Sequence, residues 1–217
     1  MSTEQPKQYR ILAVADEPSP LFYDYYTEGR LSGYDLILSA GDLSARYLEF
    51  LVTMANCPLL YVRGNHDDSL IEHPPEGCIC IENQIYNWNG IRIMGLGGSY
   101  RYRNGENMYT EWQMRKRILR KWFALRRSGG IDILLTHAPA RHLNDLETIP
   151  HRGFVCFREL LERYQPRYFI HGHVHRNYEI SIPQKSFFGD TVVINAFEAC
   201  KFDYCQGIAE AVETIRI

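Results

Sequence analysis

The sequence predicts an α/β fold in which two mixed β-sheets form a sandwich flanked by helices. Three observations carry this. Short apolar runs bounded by Gly and polar residues alternate with a helical pattern through the first half, an Asn-Gly hairpin signal sits in the middle, and further strand-like runs close the chain. A chain of 217 residues buries roughly 70% of its unfolded surface, so it needs no disulfide or metal staple and is expected to fold as one unit over 1–217.

Ile11–Ala15, Leu36–Leu38 and Leu59–Val62 read as buried strands of a parallel sheet. Between the second and third, Tyr47, Leu48, Leu51 and Met54 recur at helical spacing, and Ser44 is placed to cap the start. Residues 20–31 read as helix or loop. Ile85–Trp88 and Ile91–Met94 flank Asn89-Gly90 as a hairpin, and the glycine-rich 95–105 is expected to lack regular structure. Thr110 and Gln113 form a capping box that opens one helix running to Ser128-Gly129-Gly130. Ile131–Leu135 and Arg167–Ile170 are further buried strands, with a helix from about Phe154 to Tyr164 between them, closed by Pro166. Tyr178–Ile182, Thr191–Asn195 and Gly207–Ile217 are strand-like, and with the hairpin they are expected to build a second sheet.

Composition narrows the function classes. With 24 basic against 26 acidic residues the net charge is −2, so nucleic acid is not an expected partner. At 45% hydrophobic and 23% charged the chain is globular rather than disordered. No apolar run approaches membrane-spanning length, and the polar Met1–Arg10 lacks a secretion core, so a cytoplasmic location without membrane partners is expected. The six cysteines are irregularly spaced and are expected to be reduced and mostly buried. The cations between Arg115 and Arg127 read as the solvated face of an outer helix whose Ile118, Trp122 and Leu125 turn inward. The loop Ser99–Gly105 reads as an ordinary loop, or as one whose Tyr100 and Tyr102 stack on a base while Arg101 or Arg103 meets a phosphate.

The chemistry lies at the strand ends. Asp16, Asp42, Asn65-His66, His137 and His173-x-His175 each follow an apolar run, and in open α/β sheets ligands bind outside the carboxyl ends of strands. Hard oxygen donors with imidazole and no thiolate suit Mn, Fe, Zn or Co better than Ca. His171 also ends a strand and is expected to lie behind the others, with all three histidines of 171–175 on one face of an extended segment.

Gly41-Asp42, Gly64-Asn65-His66-Asp67, Thr136-His137 and Gly172-His173-Val174-His175 resemble, in order and spacing, four motifs of the calcineurin-like metallophosphoesterases. The resemblance runs from Asp16 to His175 and implies a metallophosphoesterase-type sandwich and a hydrolase of small phosphate esters, monoester or diester, with nucleotide-like esters among them. It implies two divalent ions. Asp42 would bridge them; Asn65, His137 and His173 would complete one, and Asp16 and His175 would help hold the other. His66 would protonate the leaving group as the catalytic acid, with its tautomer fixed by Asp67 or a backbone carbonyl. Arg63, Asn65 and His151 are expected substrate contacts. The first motif departs from the family, which normally has Asp-x-His there; this chain has Asp16-Glu17-Pro18. Glu17 would substitute only if the loop bends, because in an extended segment it points away from Asp16. The alternative reading is a scaffold or binding protein of the same fold with weakened catalysis.

Overall fold

A computed structural model describes residues 7–175 and 182–206. The chain opens with strands β1 (Gln8–Val14) and β2 (Leu36–Ser39), helix α1 (Ala45–Ala55), β3 (Leu59–Tyr61), the one-turn α2 (Ser69–Glu72) and β4 (Ile79–Cys80). The hairpin β5 (Gln84–Trp88) and β6 (Ile91–Leu96) follows, then the short pair β7 (Ser99–Tyr100) and β8 (Met108–Tyr109). Helices α3 (Glu111–Leu119) and α4 (Trp122–Ser128) lead to β9 (Ile133–Thr136), α5 (Val155–Tyr164) and β10 (Tyr168–His171). The remaining strands are β11 (Lys185–Phe188), β12 (Thr191–Asn195) and β13 (Cys200–Cys205).

Two large mixed sheets result. The first has the order β13-β1-β2-β3-β4 and the second β11-β12-β10-β9-β6-β5. Each has a parallel interior, with an antiparallel β13 on one edge of the first sheet and antiparallel β5 and β11 on the edges of the second. The period of two explains the layers. On β1, Ile11 and Ala13 face the core between the sheets, while Leu12 and Val14 face the outer core under α1. Both faces of the parallel strands are therefore buried, which is why they read as continuous apolar runs. Met94, Leu134, Phe169 and Val193 turn the outer face of the second sheet toward Met114, Leu125, Phe157 and Leu160 of α3, α4 and α5. Truncating one of these buried leucines to Ala typically costs about 2–5 kcal/mol.

Local signals hold where they were strongest. Ser44 Oγ accepts the Tyr47 N–H at 3.3 Å, and α1 buries Tyr47, Leu48, Leu51 and Ala55. Both halves of the Thr110–Gln113 capping box form. Asn89 and Gly90 turn the hairpin with positive φ.

Several expectations are corrected. The five strands bearing the polar residues are split between sheets, β1–β3 in one and β9–β10 in the other. Of the closing runs, Thr191–Asn195 does join the hairpin in the second sheet as expected, with β10 and β9 lying between them. The helix from Thr110 breaks at Arg120–Lys121, where the Lys121 N–H bonds Ile118 O in a tighter turn. Gly95 and Leu96 extend β6, and Ser99–Tyr100 pairs with Met108–Tyr109 inside the glycine-rich segment. Residues 20–31 form turns. All six cysteines are free, yet only Cys156 and Cys200 are buried. Arg117 belongs to no solvated face: it is buried against Glu82, donates to Gly97 O and Asn83 Oδ1 at 2.8 Å each, and lies 4.1 Å over the Tyr109 ring. The strand expectation for Gly207–Ile217 and all of Tyr178–Ile182 except Ile182 lie outside the described residues.

Candidate metal centre

The carboxyl ends of β1, β2, β3, β9 and β10 meet at one edge of the sandwich. Backbone hydrogen bonds stitch the strand-end loops together. Asp16 N–H donates to Gly41 O within the first sheet, and Gly172 N–H to His137 O within the second, both at 3.0 Å. The sheets themselves are joined where the Asp16 carboxylate accepts the His173 N–H at 2.8 and 3.0 Å. Asp16, Asp42 and His173 adopt φ of 67°, 57° and 69°. Non-glycine residues reach this region at a cost that surrounding structure must offset, and such residues cluster at functional sites. Glycine makes the close approach feasible: a Cβ at Gly64 would collide with the Asp42 carboxylate.

Four side chains converge most tightly. His137 Nε2 lies 3.0 Å from Asn65 Oδ1, 3.1 Å from His173 Nδ1 and 3.3 Å from Asp42 Oδ2. Ligand atoms of Asp42, His137 and His173 all fall within 4.8 Å of one another. The far side of each imidazole fixes its tautomer. His137 Nδ1–H donates to Ala40 O at 2.8 Å, and His173 Nε2–H donates to Pro150 O at 2.7 Å. Carbonyl oxygens only accept, so those nitrogens carry protons and His137 Nε2 and His173 Nδ1 are left facing each other and the Asp42 and Asn65 oxygens, where an ion would displace any proton held on His137 Nε2. Such second partners orient metal-ligating histidines and raise their basicity. The spacing fits too: ligands about 2.1 Å from one ion, at right angles, stand about 3 Å apart.

The electrostatics favour a cation at this point. Burial opposes a charge on His137, but the Asp42 carboxylate, its hydrogen bond and Asp16 outweigh it and raise the imidazole to about 9. Burial raises Asp16 to about 7 against the pull of His137. Asp42 is held well below the usual carboxylate range: burial would raise it, but His137 and the His66 N–H, donating to Oδ1 at 2.7 Å, prevail. Burial and His137 together depress His173 to about 3, so it stays neutral and able to coordinate.

The remaining expected residues are placed less tightly. The loop after β1 does bend: Glu17 N–H donates to Ala15 O at 2.8 Å, closing a γ-turn on Asp16. This brings Glu17 Oε1 to 3.6 Å from His175 Nδ1, with the Glu17 side chain half-exposed. Among the described residues no second metal-type group gathers as Asp42, His137 and His173 do. His171, His173 and His175 do not share one face, because the positive φ of His173 turns the chain and the Val174 N–H bonds Gly172 O. His171 is fully buried, pushed down to about 4 by burial, and 3.4 Å from the Asn144 amide.

His66 is exposed at the rim. Asp67 does not orient it; the Asp67 carboxylate instead accepts the Asp42 and Gly64 N–H groups at 2.7 Å each and locks the two loops together. The neighbour of His66 Nδ1 is Arg103 Nη2 at 3.5 Å, from the loop whose sequence leaves both an ordinary reading and a phosphate-contacting one open. The Tyr-Arg-Tyr-Arg alternation was the available signal. The His151 ring lies 5.5 Å from that of His173, and its Nδ1 is 3.0 Å from Thr148 Oγ1. Arg63 Nε is buried without a partner. The Ala40 and Pro150 carbonyls were invisible to sequence reasoning, since a backbone acceptor has no residue signature.

The family model described as calcineurin-like phosphoesterase matches residues 11–177. One solved structure superposes with a TM-score of 0.67 at 14% identity, covering 91% of this chain and 95% of that one. Another, the TT1561 protein of Thermus thermophilus, gives 0.57 at 16% identity, covering 88% and 90%. At these identities the likeness shows the fold alone. No curated protein matches the chain. With the family model spanning well over half its length and the strand-end residues gathered as described, the chain belongs to the calcineurin-like phosphoesterase family.

Proposed function

We propose that the chain hydrolyses small phosphate esters, nucleotide-like esters among them, with divalent ions held at two adjoining positions. The observation that supports this best is the cluster of Asp42, Asn65, His137 and His173, whose donor atoms converge on one point, the two imidazoles being oriented from behind by backbone carbonyls. The donor set of carboxylate, amide and imidazole fits Mn, Fe, Zn or Co. Asp42 faces both positions, with Asp16 and His175 on the side of the second. A bound ion there supplies Lewis-acid polarisation of a phosphoryl oxygen and acidifies a water.

The chain's own residues then orient and protonate. His66, anchored through its backbone to Asp42 Oδ1 and open to solvent, donates a proton to the departing oxygen. Asn65, beside His137 Nε2, His151, beside the His173 ring, and Arg63, next to Gly64, are the residues that would contact the phosphate. Replacing His66 by Gln should leave bound metal unchanged and slow hydrolysis of alkyl phosphates by about 10²–10⁴-fold, the usual loss for a general acid. The loss should shrink for p-nitrophenyl phosphate, whose leaving group needs little protonation; an equal loss for both would assign His66 another role.

One observation favours a second reading, a binding protein of this fold: Pro18 occupies the position of the family's first-motif histidine, and Asp16, Glu17 and His175 are loosely gathered. A chain that retains its tighter ion yet hydrolyses no phosphate ester at saturating Mn²⁺ would establish that reading instead.

A further inference from the structure

The outer helices carry an apolar face that the core does not use. Met114, Ile118 and Leu125 pack toward the second sheet. Trp112, Leu119 and Phe123, at 67%, 64% and 79% exposure, point elsewhere. Trp112 and Leu119, seven apart in α3, share one line of that helix, and Phe123 follows just beyond the break in the first turn of α4. The bond from Arg120 N–H to Lys116 O closes α3 and that from Leu125 N–H to Lys121 O opens α4, one on each side of the break. Trp122, also partly exposed, neighbours Phe123 with its ring 4.8 Å away. Single exposed apolar residues are ordinary; large ones in register are not.

Cations surround this line. Between Glu111 and Arg127 the sequence has seven Lys and Arg against one acid, in a chain of net charge −2. Among the described residues, Lys116, Arg120, Lys121, Arg126 and Arg127 form no ion pair. Lys116 and Arg126 instead lie over the Trp112 and Trp122 rings at 5.1 and 5.5 Å. The reading of a purely solvated basic face misses this second stripe, because the cations interrupt it.

We infer that the α3–α4 face docks on an anionic lipid surface. Protruding tryptophan, phenylalanine and leucine beside lysine and arginine is the composition that settles at the headgroup boundary. Anionic headgroups supply the charge these unpaired cations lack. A protein helix would need a groove. The recess between α3–α4 and α5 holds only about 190 Å³, and Arg115 spans it to Glu159 with two bonds of 2.5 and 2.8 Å. No described helix is long and apolar enough to cross a membrane, so the contact is peripheral.

The test uses the whole chain with vesicles of phosphatidylcholine alone and of phosphatidylcholine with phosphatidylserine. Co-flotation should occur with the second kind only. Tryptophan emission should shift to the blue through Trp112 and Trp122, since Trp88 is already buried. Raising salt from about 0.1 M to 1 M shortens the screening length from about 10 Å to 3 Å and should release the protein. Leu119→Ala with Phe123→Ala should weaken partitioning on the order of tenfold or more, and Arg120→Glu with Lys121→Glu should abolish it. All four residues are exposed or nearly so, and circular dichroism checks that the fold persists. Three results would overturn the inference: no partitioning at low salt, equal partitioning without phosphatidylserine, or binding to polyglutamate as strong as to vesicles and indifferent to Leu119 and Phe123. The last would mark a surface for acidic protein instead.

Discussion

Asp42, Asn65, His137 and His173 meet at 3.0–3.3 Å around one nitrogen, whereas on the adjoining side Glu17 and His175 stand 3.6 Å apart and Asp16 bonds to the backbone of His173. The difference follows from what stands behind each group. In the gathered half three of the four side chains are held from the rear by backbone: Ala40 O behind His137, Pro150 O behind His173, the His66 N–H on Asp42. In the open half the Asp16 carboxylate is also held by backbone, the His173 N–H, but Glu17 hangs half-exposed from a γ-turn. A constellation on rigid strand ends with supported ligands is set before its ion arrives; one on a bent loop must be completed by it. The departure from the family's first motif, Pro18, falls in the half with less backbone support.

The comparison can be broken most severely at the residue shared by both halves. Asp42→Asn should lower ion affinity at both positions by more than about 100-fold, beyond the 10–100-fold typical of a supporting partner. Elemental analysis of the purified variant reads this directly, and wild-type metal content would remove Asp42 from both sites. Next in size is the contrast between His173→Ala and His175→Ala. The first should cost the tighter ion more than about 100-fold in affinity, beyond what a supporting partner costs, while the second leaves that ion in place and weakens only the other. Equal effects would erase the distinction between the halves.

The smallest expected effects sharpen the open half. If Glu17 completes it, Glu17→Gln should raise the Mn²⁺ concentration needed for the second ion about tenfold, and Pro18→His should leave that requirement unchanged or worsen it. If the position instead lacks a ligand, Pro18→His should lower the requirement and Glu17→Gln should leave it alone. Metal titrations of the two variants side by side decide between these.

Much of this was legible in the sequence. The five strand ends were visible because doubly buried strands read as uninterrupted apolar runs, each stopping at an Asp, Asn or His. Their division between two sheets was not, since a run such as Leu36–Leu38 or Ile133–Leu135 carries no mark of its partner. Strand β13 was readable and overlooked: Cys200, Phe202 and Tyr204 alternate with Lys201 and Asp203 in strict period two. The single face expected for His171, His173 and His175 failed because a positive φ at a histidine has no sequence signature. Arg117 was read as solvated because its partner, Glu82, is distant in sequence.

The central claim is that the cluster of Asp42, Asn65, His137 and His173 is the principal ion site of this chain. Calorimetric titration of metal-stripped protein with Mn²⁺ tests it most directly, with His173→Ala run in parallel. The account predicts one ion per wild-type chain bound first and a second only at concentrations about ten times higher or more, with the first step lost in His173→Ala. Two ions binding with equal affinity, or a first ion that survives the loss of His173, would contradict it.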